Sequence, residues 1–213
     1  MTPSSFVRAH TRLATPPCVP EIRLHLADEP YGIWREYERE LGRPGAPLPF
    51  WAFAWAGGQA LARHVLDHPD AVAGRRVLDV ASGSGMVAIA AAMAGAAAVT
   101  ASDLDPFAIA AIELNAAVNG VAVAATAGDA LDGDLDGAGV VLAGDVFYEQ
   151  PMAERVLRFL ERVRAAGAEV LVGDPGREHL PRRRLEEVAS YDVGQVGELE
   201  VTDVRRTIVW RLP

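Results

Sequence analysis

A glycine-containing loop between an apolar strand and an apolar helix constrains the fold of this chain more than any other segment. Residues 77–85 read Val-Leu-Asp-Val-Ala-Ser-Gly-Ser-Gly, and an alanine-rich stretch follows them. Glycines are needed in such a loop because a Cβ atom would keep the backbone away from a bound cofactor. Ligands of open α/β sheets bind at this kind of strand-to-helix turn. The loop therefore predicts an α/β fold with a cofactor site at the end of its first strand.

Short apolar strands alternate with helices through the rest of the chain. Strands are predicted over residues 76–80, 98–102, 121–126, 140–143 and 169–172, and helices over residues 86–93, 106–119 and 151–164. Strands that are apolar throughout indicate a parallel sheet with helices on both faces. Residues 191–196 and 206–212 form two further predicted strands with no helix between them, which indicates an antiparallel pair at one edge.

The N-terminal part of the chain does not follow this alternation. Residues 1–20 are rich in proline and are predicted to be irregular. Helices are predicted over residues 27–41 and 59–67, with a linker rich in proline and glycine between them. We therefore expect a lead-in with one helix over residues 1–48 and the sheet domain over residues 49–213.

Charge and composition exclude several classes of protein. The 213 residues carry 20 basic and 29 acidic side chains, which is a formal net charge of −9. Binding to nucleic acid and binding to an anionic membrane both depend on positive charge, so neither is expected. All 20 basic residues are arginine. The absence of lysine excludes a P-loop lysine, a Schiff-base lysine and a lysine general base.

Few side chains are candidates for metal or disulfide chemistry. Cys18 is the single cysteine, which excludes an internal disulfide and a cysteine-rich zinc site and predicts a reducing, cytoplasmic location. His64 and His68 lie four residues apart on one predicted helix, which is the spacing of a metal-binding pair. Surface positions before Pro69 explain both histidines better, and no metal site is predicted. The apolar run at residues 86–101 is too short to span a membrane.

Three acidic residues at successive strand ends distinguish between two cofactors. Asp103, at the end of the second strand, suits the two hydroxyls of a ribose. It fits NAD as well as S-adenosylmethionine, because Gly83-x-Gly85-x-x-Ala88 satisfies the dinucleotide fingerprint. Asp79 would face a pyrophosphate badly but suits the ammonium of a methionine moiety, and Asp129 suits an adenine amino group. The residues favour S-adenosylmethionine, with an NAD-dependent oxidoreductase as the alternative.

The fourth strand ends with a carboxylate followed by two aromatic residues. Residues 144–148 read Gly-Asp-Val-Phe-Tyr. Asp145 beside Phe147 and Tyr148 forms a site for an amine, because the carboxylate accepts its hydrogen bonds and aromatic rings stabilise its cationic forms. The alternative is that Asp145 caps the following helix while the two aromatic residues belong to the core.

Several stretches of the chain resemble the seven-stranded, S-adenosylmethionine-dependent protein methyltransferases. The resemblance is strongest to the family that methylates lysines on the beta subunit of electron transfer flavoprotein. It is carried by residues 49–61, 77–85, 102–106, 114–115, 144–148 and 173–177. The Trp-x-Gly-Gly-Gln, Asp-x-Phe-Tyr and Gly-Asp-Pro-Gly-Arg elements make it specific. Ala56 and Ala81 depart from the family pattern, which often has proline and usually has glycine at these positions.

The resemblance implies a Rossmann-like seven-stranded sheet, mostly parallel with an antiparallel edge, and a role for each matching residue. The cofactor would be held by Trp55, Gly57, Gly58, Asp79, Ser82, Gly83, Gly85, Asp103 and Asp129. The lysine channel would be lined by Asp145, Phe147 and Tyr148. Trp51 is either a core aromatic residue or part of the same pocket.

The implied activity is S-adenosylmethionine-dependent N-methylation of a lysine on a protein substrate, with neither nucleic acid nor membrane as a partner. A ribosomal-protein methyltransferase and a small-molecule amine methyltransferase of the same fold are the alternatives within the class. A cofactor-binding module without activity is a further alternative, and the Asp-x-Phe-Tyr element argues against it. If the acceptor is lysine, a chain without lysine cannot methylate its own side chains.

Overall fold

Strands and helices alternate from residue 76 onward as the apolar pattern predicts. The computed structural model of the protein describes residues 1–133, 137–194 and 204–213. The helices are α1 Pro3–His10, α2 Pro30–Leu41, α3 Ala56–Asp67, α4 Met86–Met93, α5 Pro106–Asn119 and α6 Gln150–Ala165. The strands are β1 Arg12–Ala14, β2 Leu24–Leu26, β3 Arg76–Val80, β4 Ala98–Asp103, β5 Ala124–Ala127, β6 Val140–Gly144, β7 Glu169–Asp174, β8 Glu186–Gly194 and β9 Val204–Arg211. None of these helices is long and apolar enough to cross a membrane.

The main sheet has seven strands in the order β5-β4-β3-β6-β7-β9-β8. The five strands from β5 to β7 are parallel, and β9 runs antiparallel to both of its neighbours. The predicted fold, a mostly parallel sheet with an antiparallel edge, is confirmed. The strand order reverses between β3 and β6, and a crevice opens at the carboxyl ends of the strands at such a point.

Each central strand is buried on both faces, which explains its uninterrupted apolar sequence. In β6, Val140 and Leu142 belong to a hydrophobic cluster with residues of α3 and α4. Val141 and Ala143 belong to a second cluster with residues of α6. Because successive strand residues point to opposite faces, these two clusters lie on the two sides of the sheet.

The prediction that residues 1–20 are irregular is wrong for Pro3–His10 and Arg12–Ala14, which form α1 and β1. Thr2 caps α1 by accepting a hydrogen bond from the backbone N–H of Ser5, and a proline occupies the first turn of the helix. Phe6 is 1% exposed and packs edge-on against Trp51 and Phe107. The helix is too short to be stable alone, so its stability comes from this tertiary packing, which local sequence does not reveal.

Several predicted boundaries also move. The helix α2 begins at Pro30 because the Glu29 carboxylate caps it, accepting hydrogen bonds from the first backbone N–H groups. The helix α3 begins at Ala56, so Gly57 and Gly58 are helical rather than part of the preceding loop.

Two strand boundaries differ as well. The strand β5 begins at Ala124, three residues after the predicted start. The strand β8 begins at Glu186, earlier than the predicted 191–196, and the last two residues of that prediction lie outside the described residues.

Candidate active site

A cavity of about 730 Å³ opens at the carboxyl ends of β3, β4 and β6. The site residues proposed from the sequence that line it are Trp55, Gly58, Asp79, Ser82, Gly83, Asp103, Asp129, Asp145 and Tyr148. Trp51 lines it too, although the residue is only 1% exposed and belongs to the aromatic cluster around Phe6. Trp51 is therefore both a core aromatic residue and part of the cavity wall.

The innermost carboxylate of the cavity is Asp79, near the end of β3. The residue is 1% exposed, and its Oδ2 accepts hydrogen bonds from the Ser82 hydroxyl and from the backbone N–H of Ala88, the latter at 3.1 Å. Burial raises the pKa of Asp79 to about 7. A carboxylate that burial destabilises in this way gains most from a cationic partner such as an ammonium group.

The loop after β3 is held in place by the carboxylate at the end of β4. Asp103 Oδ2 accepts the backbone N–H of Gly83 at 2.8 Å, and Oδ1 accepts that of Asp105 at 3.0 Å. Burial raises the pKa of Asp103 as well. Ala81 adopts a φ of 50°, in the left-handed region that favours glycine, which explains why a family pattern would have glycine there.

Two of the predicted glycines support the site without lining the cavity. A Cβ on Gly85 would lie 3.2 Å from Ile112 Cγ1, so this glycine allows the loop to pack on α5. A Cβ on Gly57 would lie 2.5 Å from Asp145 Oδ2 and 2.2 Å from the carbonyl oxygen of Gly173. The glycine at 57 thus lets the N-terminus of α3 approach the ends of β6 and β7.

Asp129 combines a capping role with a place on the cavity wall. Its Oδ1 accepts the backbone N–H of Leu131 at 3.1 Å, which caps a short 3-10 helix. Its Oδ2 pairs with Arg155 Nη2 at 2.8 Å. Asp129 therefore caps this short helix and also lines the cavity.

At the other end of the cavity, Asp145 is held from three sides. Its Oδ2 accepts the backbone N–H of Gly58 at 2.9 Å, in the first turn of α3, where a negative charge is favourable. Its Oδ1 accepts hydrogen bonds from Arg177 Nε at 3.0 Å and Nη2 at 2.6 Å. Its backbone has a φ of 57°, a conformation that aspartate tolerates better than most residues, and the Asp145 N–H donates to the Gly173 carbonyl at 2.9 Å.

Aromatic side chains line the mouth of the cavity next to Asp145. The ring centroid of Phe50 lies 5.8 Å from that of Trp55 and 5.4 Å from that of Tyr148. The Trp55 Nε1 donates to the Phe50 carbonyl at 2.8 Å, which fixes the indole ring. Phe147, in contrast, is fully buried in the hydrophobic cluster under α6 and does not line the cavity. Phe147 therefore takes the core position that the sequence left open as the alternative to a place in the lysine channel.

Sequence reasoning gave no role to Arg177 or to Asp174, although both lie within the Gly-Asp-Pro-Gly-Arg element. Arg177 lines the cavity, and Asp174 is fully buried at the end of β7. Burial raises the pKa of Asp174 to about 6. The signal that could have found them is the position of this element directly after a strand that neighbours β6.

The histidine pair does not form part of the site. His64 is only 6% exposed, so the predicted surface position is wrong for this residue, and its Nδ1 lies 3.1 Å from the Tyr191 hydroxyl. Across the described residues, no three His, Cys, Asp or Glu side chains come together in a way that could hold a metal ion.

The chemistry of the lining residues fits S-adenosylmethionine. This cofactor carries an ammonium and a ribose diol but no phosphate, and the carboxylates of the buried Asp79 and the partly exposed Asp103 are acceptors suited to those groups. The glycine at 83, with a φ of 54°, keeps the loop backbone between them open to a ligand.

Proteins of known class share both the fold and the sequence. The solved magnesium protoporphyrin IX methyltransferase of Synechocystis, with bound S-adenosylmethionine, matches 71% of this chain and 78% of its own with a TM-score of 0.52 at 14% identity. The family model described as ribosomal protein L11 methyltransferase (PrmA) matches residues 60–167. The electron transfer flavoprotein beta subunit lysine methyltransferase of Xenopus laevis is 38% identical over 98% of this chain and 86% of that protein. Its Homo sapiens counterpart is 36% identical over 90% of this chain and 74% of that protein.

The fold and the sequence therefore define an S-adenosylmethionine-dependent methyltransferase, and NAD is not the cofactor of this class. Within that class the chain belongs to the family of electron transfer flavoprotein beta subunit lysine methyltransferases, which are protein-lysine N-methyltransferases.

Proposed function

We propose that this enzyme methylates lysine side chains of the beta subunit of electron transfer flavoprotein, and that Asp145 receives the acceptor amine. The name of the relatives that match 90% or more of the chain supports the target. The observation that carries the site is a buried carboxylate, 8% exposed, at the end of β6 beside an aromatic cavity mouth. Such a pair recognises an amine and its cationic forms.

Residues at the other end of the cavity would hold the cofactor. When bound, S-adenosylmethionine supplies a methyl group on a sulfonium, whose departure leaves a neutral sulfide. Asp79 with Ser82 would receive the methionine ammonium, Asp103 the ribose hydroxyls and Asp129 the adenine amino group. Trp55 and Gly58 would form the wall between this end and Asp145.

The main contribution of the protein to methyl transfer is to align the lysine amine with the methyl group. A lysine amine must lose its proton and point its lone pair at the methyl group, and orientation of this kind supplies much of the acceleration. Asp145 would orient the nitrogen and stabilise the positive charge that develops on it. The described residues that line the cavity include no histidine, so we expect the proton to leave to solvent.

Residues 1–48 would cover the cofactor end of the catalytic domain at 49–213. Tyr37 and Leu41 of α2 line the cavity, and the Tyr37 hydroxyl donates to Asp105 Oδ2 at 2.7 Å. This contact supports a fixed position for α2 beside the acidic loop after β4. A cytoplasmic enzyme that binds neither nucleic acid nor membranes stays a prediction from composition and charge.

The test is methylation of purified electron transfer flavoprotein with labelled S-adenosylmethionine. We expect Asp145→Ala to lower kcat/KM by about 100-fold or more, the usual loss when a group that stabilises transition-state charge is removed. Affinity for the cofactor, measured by calorimetry, should change less than about twofold. The matched control is Asp70→Ala, an exposed aspartate outside the cavity, which should behave as the wild type.

Two results would contradict the proposal. Substantial turnover by Asp145→Ala would remove Asp145 from the acceptor site. Label on ribosomal protein L11, with none on the flavoprotein subunit, would favour the second candidate. That candidate is supported by the L11 methyltransferase of Bacillus pumilus, 32% identical over 67% of this chain but only 44% of that protein.

A further inference from the structure

The turn after β7 is built to deliver one side chain to the acceptor end of the cavity. Asp174 Oδ1 accepts the backbone N–H groups of Gly176 and Arg177, both at 2.7 Å. Gly176 has a φ of 90°, which a residue with a Cβ rarely adopts. Because Asp174 is fully buried, these bonds fix the backbone at residue 177 and leave its side chain to cross toward β6.

The Arg177 guanidinium makes the two contacts that an acceptor ammonium needs. It donates to Asp145 Oδ1 through Nε and Nη2, and its central carbon lies 5.7 Å from the centroid of the Trp55 ring. The pair is largely shielded from solvent, with side-chain exposures of 19% for Arg177 and 8% for Asp145. A carboxylate with an adjacent indole face is a recognition site for a cation.

We propose that Arg177 is an internal occupant of the acceptor site, which a substrate lysine displaces from Asp145 before methyl transfer. The inference rests on the proposed function, since it takes Asp145 as the acceptor carboxylate. Two cations at one shielded carboxylate repel each other, so Arg177 and the substrate ammonium exclude one another. In the free enzyme the Arg177 guanidinium keeps Asp145 paired. The apparent affinity is therefore lower for any lysine that cannot displace Arg177 from Asp145.

Arginine suits this position because the enzyme cannot modify it as it modifies lysine. A guanidinium stays protonated at any pH of interest and has no free lone pair to attack a methyl group. A lysine in the same place can lose its proton and become an acceptor. Substitution of Arg177 by lysine therefore reports whether the side chain at residue 177 occupies the acceptor position.

The decisive variant is Arg177→Lys, incubated alone with labelled S-adenosylmethionine and analysed by mass spectrometry. In the expected reaction the Nζ lone pair of the introduced side chain forms a bond to the methyl carbon. The carbon–sulfur bond breaks with its electrons staying on sulfur, and the amine proton leaves to solvent. We expect label on the introduced side chain. Because the reaction is intramolecular, the fraction of enzyme labelled per unit time should not depend on enzyme concentration. Because the natural chain has no lysine, any background label is confined to the N-terminal amine, which mass spectrometry distinguishes from residue 177. The matched control is Arg183→Lys, an exposed position, which should stay unlabelled.

A second variant, Arg177→Gln, tests competition with the protein substrate. If the guanidinium occupies Asp145 in about nine of ten free molecules, its removal lowers KM about tenfold with little change in kcat. A fall in kcat with KM unchanged, together with no label on Arg177→Lys, would overturn the inference and make Arg177 a support of Asp145. Thermal melting of both variants confirms that they fold.

The two proposals fail in different ways. If Asp145→Ala abolishes flavoprotein methylation while Arg177→Lys stays unlabelled and Arg177→Gln leaves KM unchanged, only the inference on Arg177 is wrong. If Asp145→Ala still methylates the flavoprotein subunit, Asp145 is not the acceptor carboxylate, so its proposed role and the inference on Arg177 are both wrong, while the proposed target stands.

Discussion

Replacing Asp79 by asparagine should make the protein more stable but weaken its binding of the cofactor. Burial raises the pKa of Asp79 from 3.8 to about 7. A group with a raised pKa contributes stability that is fully present below the unfolded value and is lost as pH rises through the folded value. Over about three pKa units at about 1.4 kcal/mol each, the ionised carboxylate costs the folded state about 4 kcal/mol at about pH 8.5.

Asparagine removes the charge but keeps an acceptor oxygen for the Ser82 hydroxyl and the Ala88 N–H. We expect Asp79→Asn to raise the free energy of unfolding by about 2–4 kcal/mol at about pH 8.5. The gain should shrink by about 1.4 kcal/mol for each pH unit below about 7. The assay is urea unfolding of both proteins without cofactor, from about pH 5 to about pH 8.5, followed by circular dichroism.

The same substitution should weaken binding of S-adenosylmethionine. A lost hydrogen bond between charged groups corresponds to about 10- to 100-fold in affinity, measured by calorimetry at about pH 8.5. The wild-type affinity should fall about tenfold per pH unit below about 7, as the carboxylate of Asp79 is protonated. The exposed control Asp70→Asn should change neither quantity. A stability gain that does not vary with pH, or an unchanged affinity, would refute the reasoning.

Two substitutions test the packing that positions the site. Gly57→Ala places a methyl group 2.2 Å from the Gly173 carbonyl oxygen and 2.5 Å from Asp145 Oδ2. The substitution should therefore lower the free energy of unfolding, measured by urea titration, by about 1–3 kcal/mol. It should also reduce methyl transfer. A fully active, equally stable variant would contradict the close packing of α3. Phe6→Ala removes a ring that is 1% exposed and should cost about 3–5 kcal/mol by the same measurement. A loss below about 1 kcal/mol would mean that α1 adds little to the fold.

The parts of the fold that the sequence predicted well are those whose signals are local. The strand β3 and the helices α4 and α5 have the bounds that apolar runs, proline starts and the Asn119-Gly120 stop indicate. The burial of α1 is not local, because Phe6 packs against Phe107 from the other half of the chain. A pair of apolar residues in a polar segment gives no sign of such a partner.

The site residues divide in the same way. Asp79, Asp103 and Asp145 follow from their positions at strand ends, since the carboxyl ends of parallel strands meet at one edge. Phe147 and Tyr148 are adjacent in the sequence, yet Phe147 enters the core and Tyr148 lines the cavity.

The contact between Arg177 and Asp145 was not predicted because the two residues lie 32 positions apart, each after a different strand. The role of Arg177 also gives meaning to the absence of lysine. At each of the 20 basic positions arginine supplies the positive charge that lysine would supply. It does so without a side-chain amine that the active site could methylate, and this matters most at residue 177, whose side chain pairs with Asp145, the proposed acceptor carboxylate. A protein-lysine methyltransferase can therefore hold a cation against Asp145 between turnovers only if that cation is not itself an acceptor.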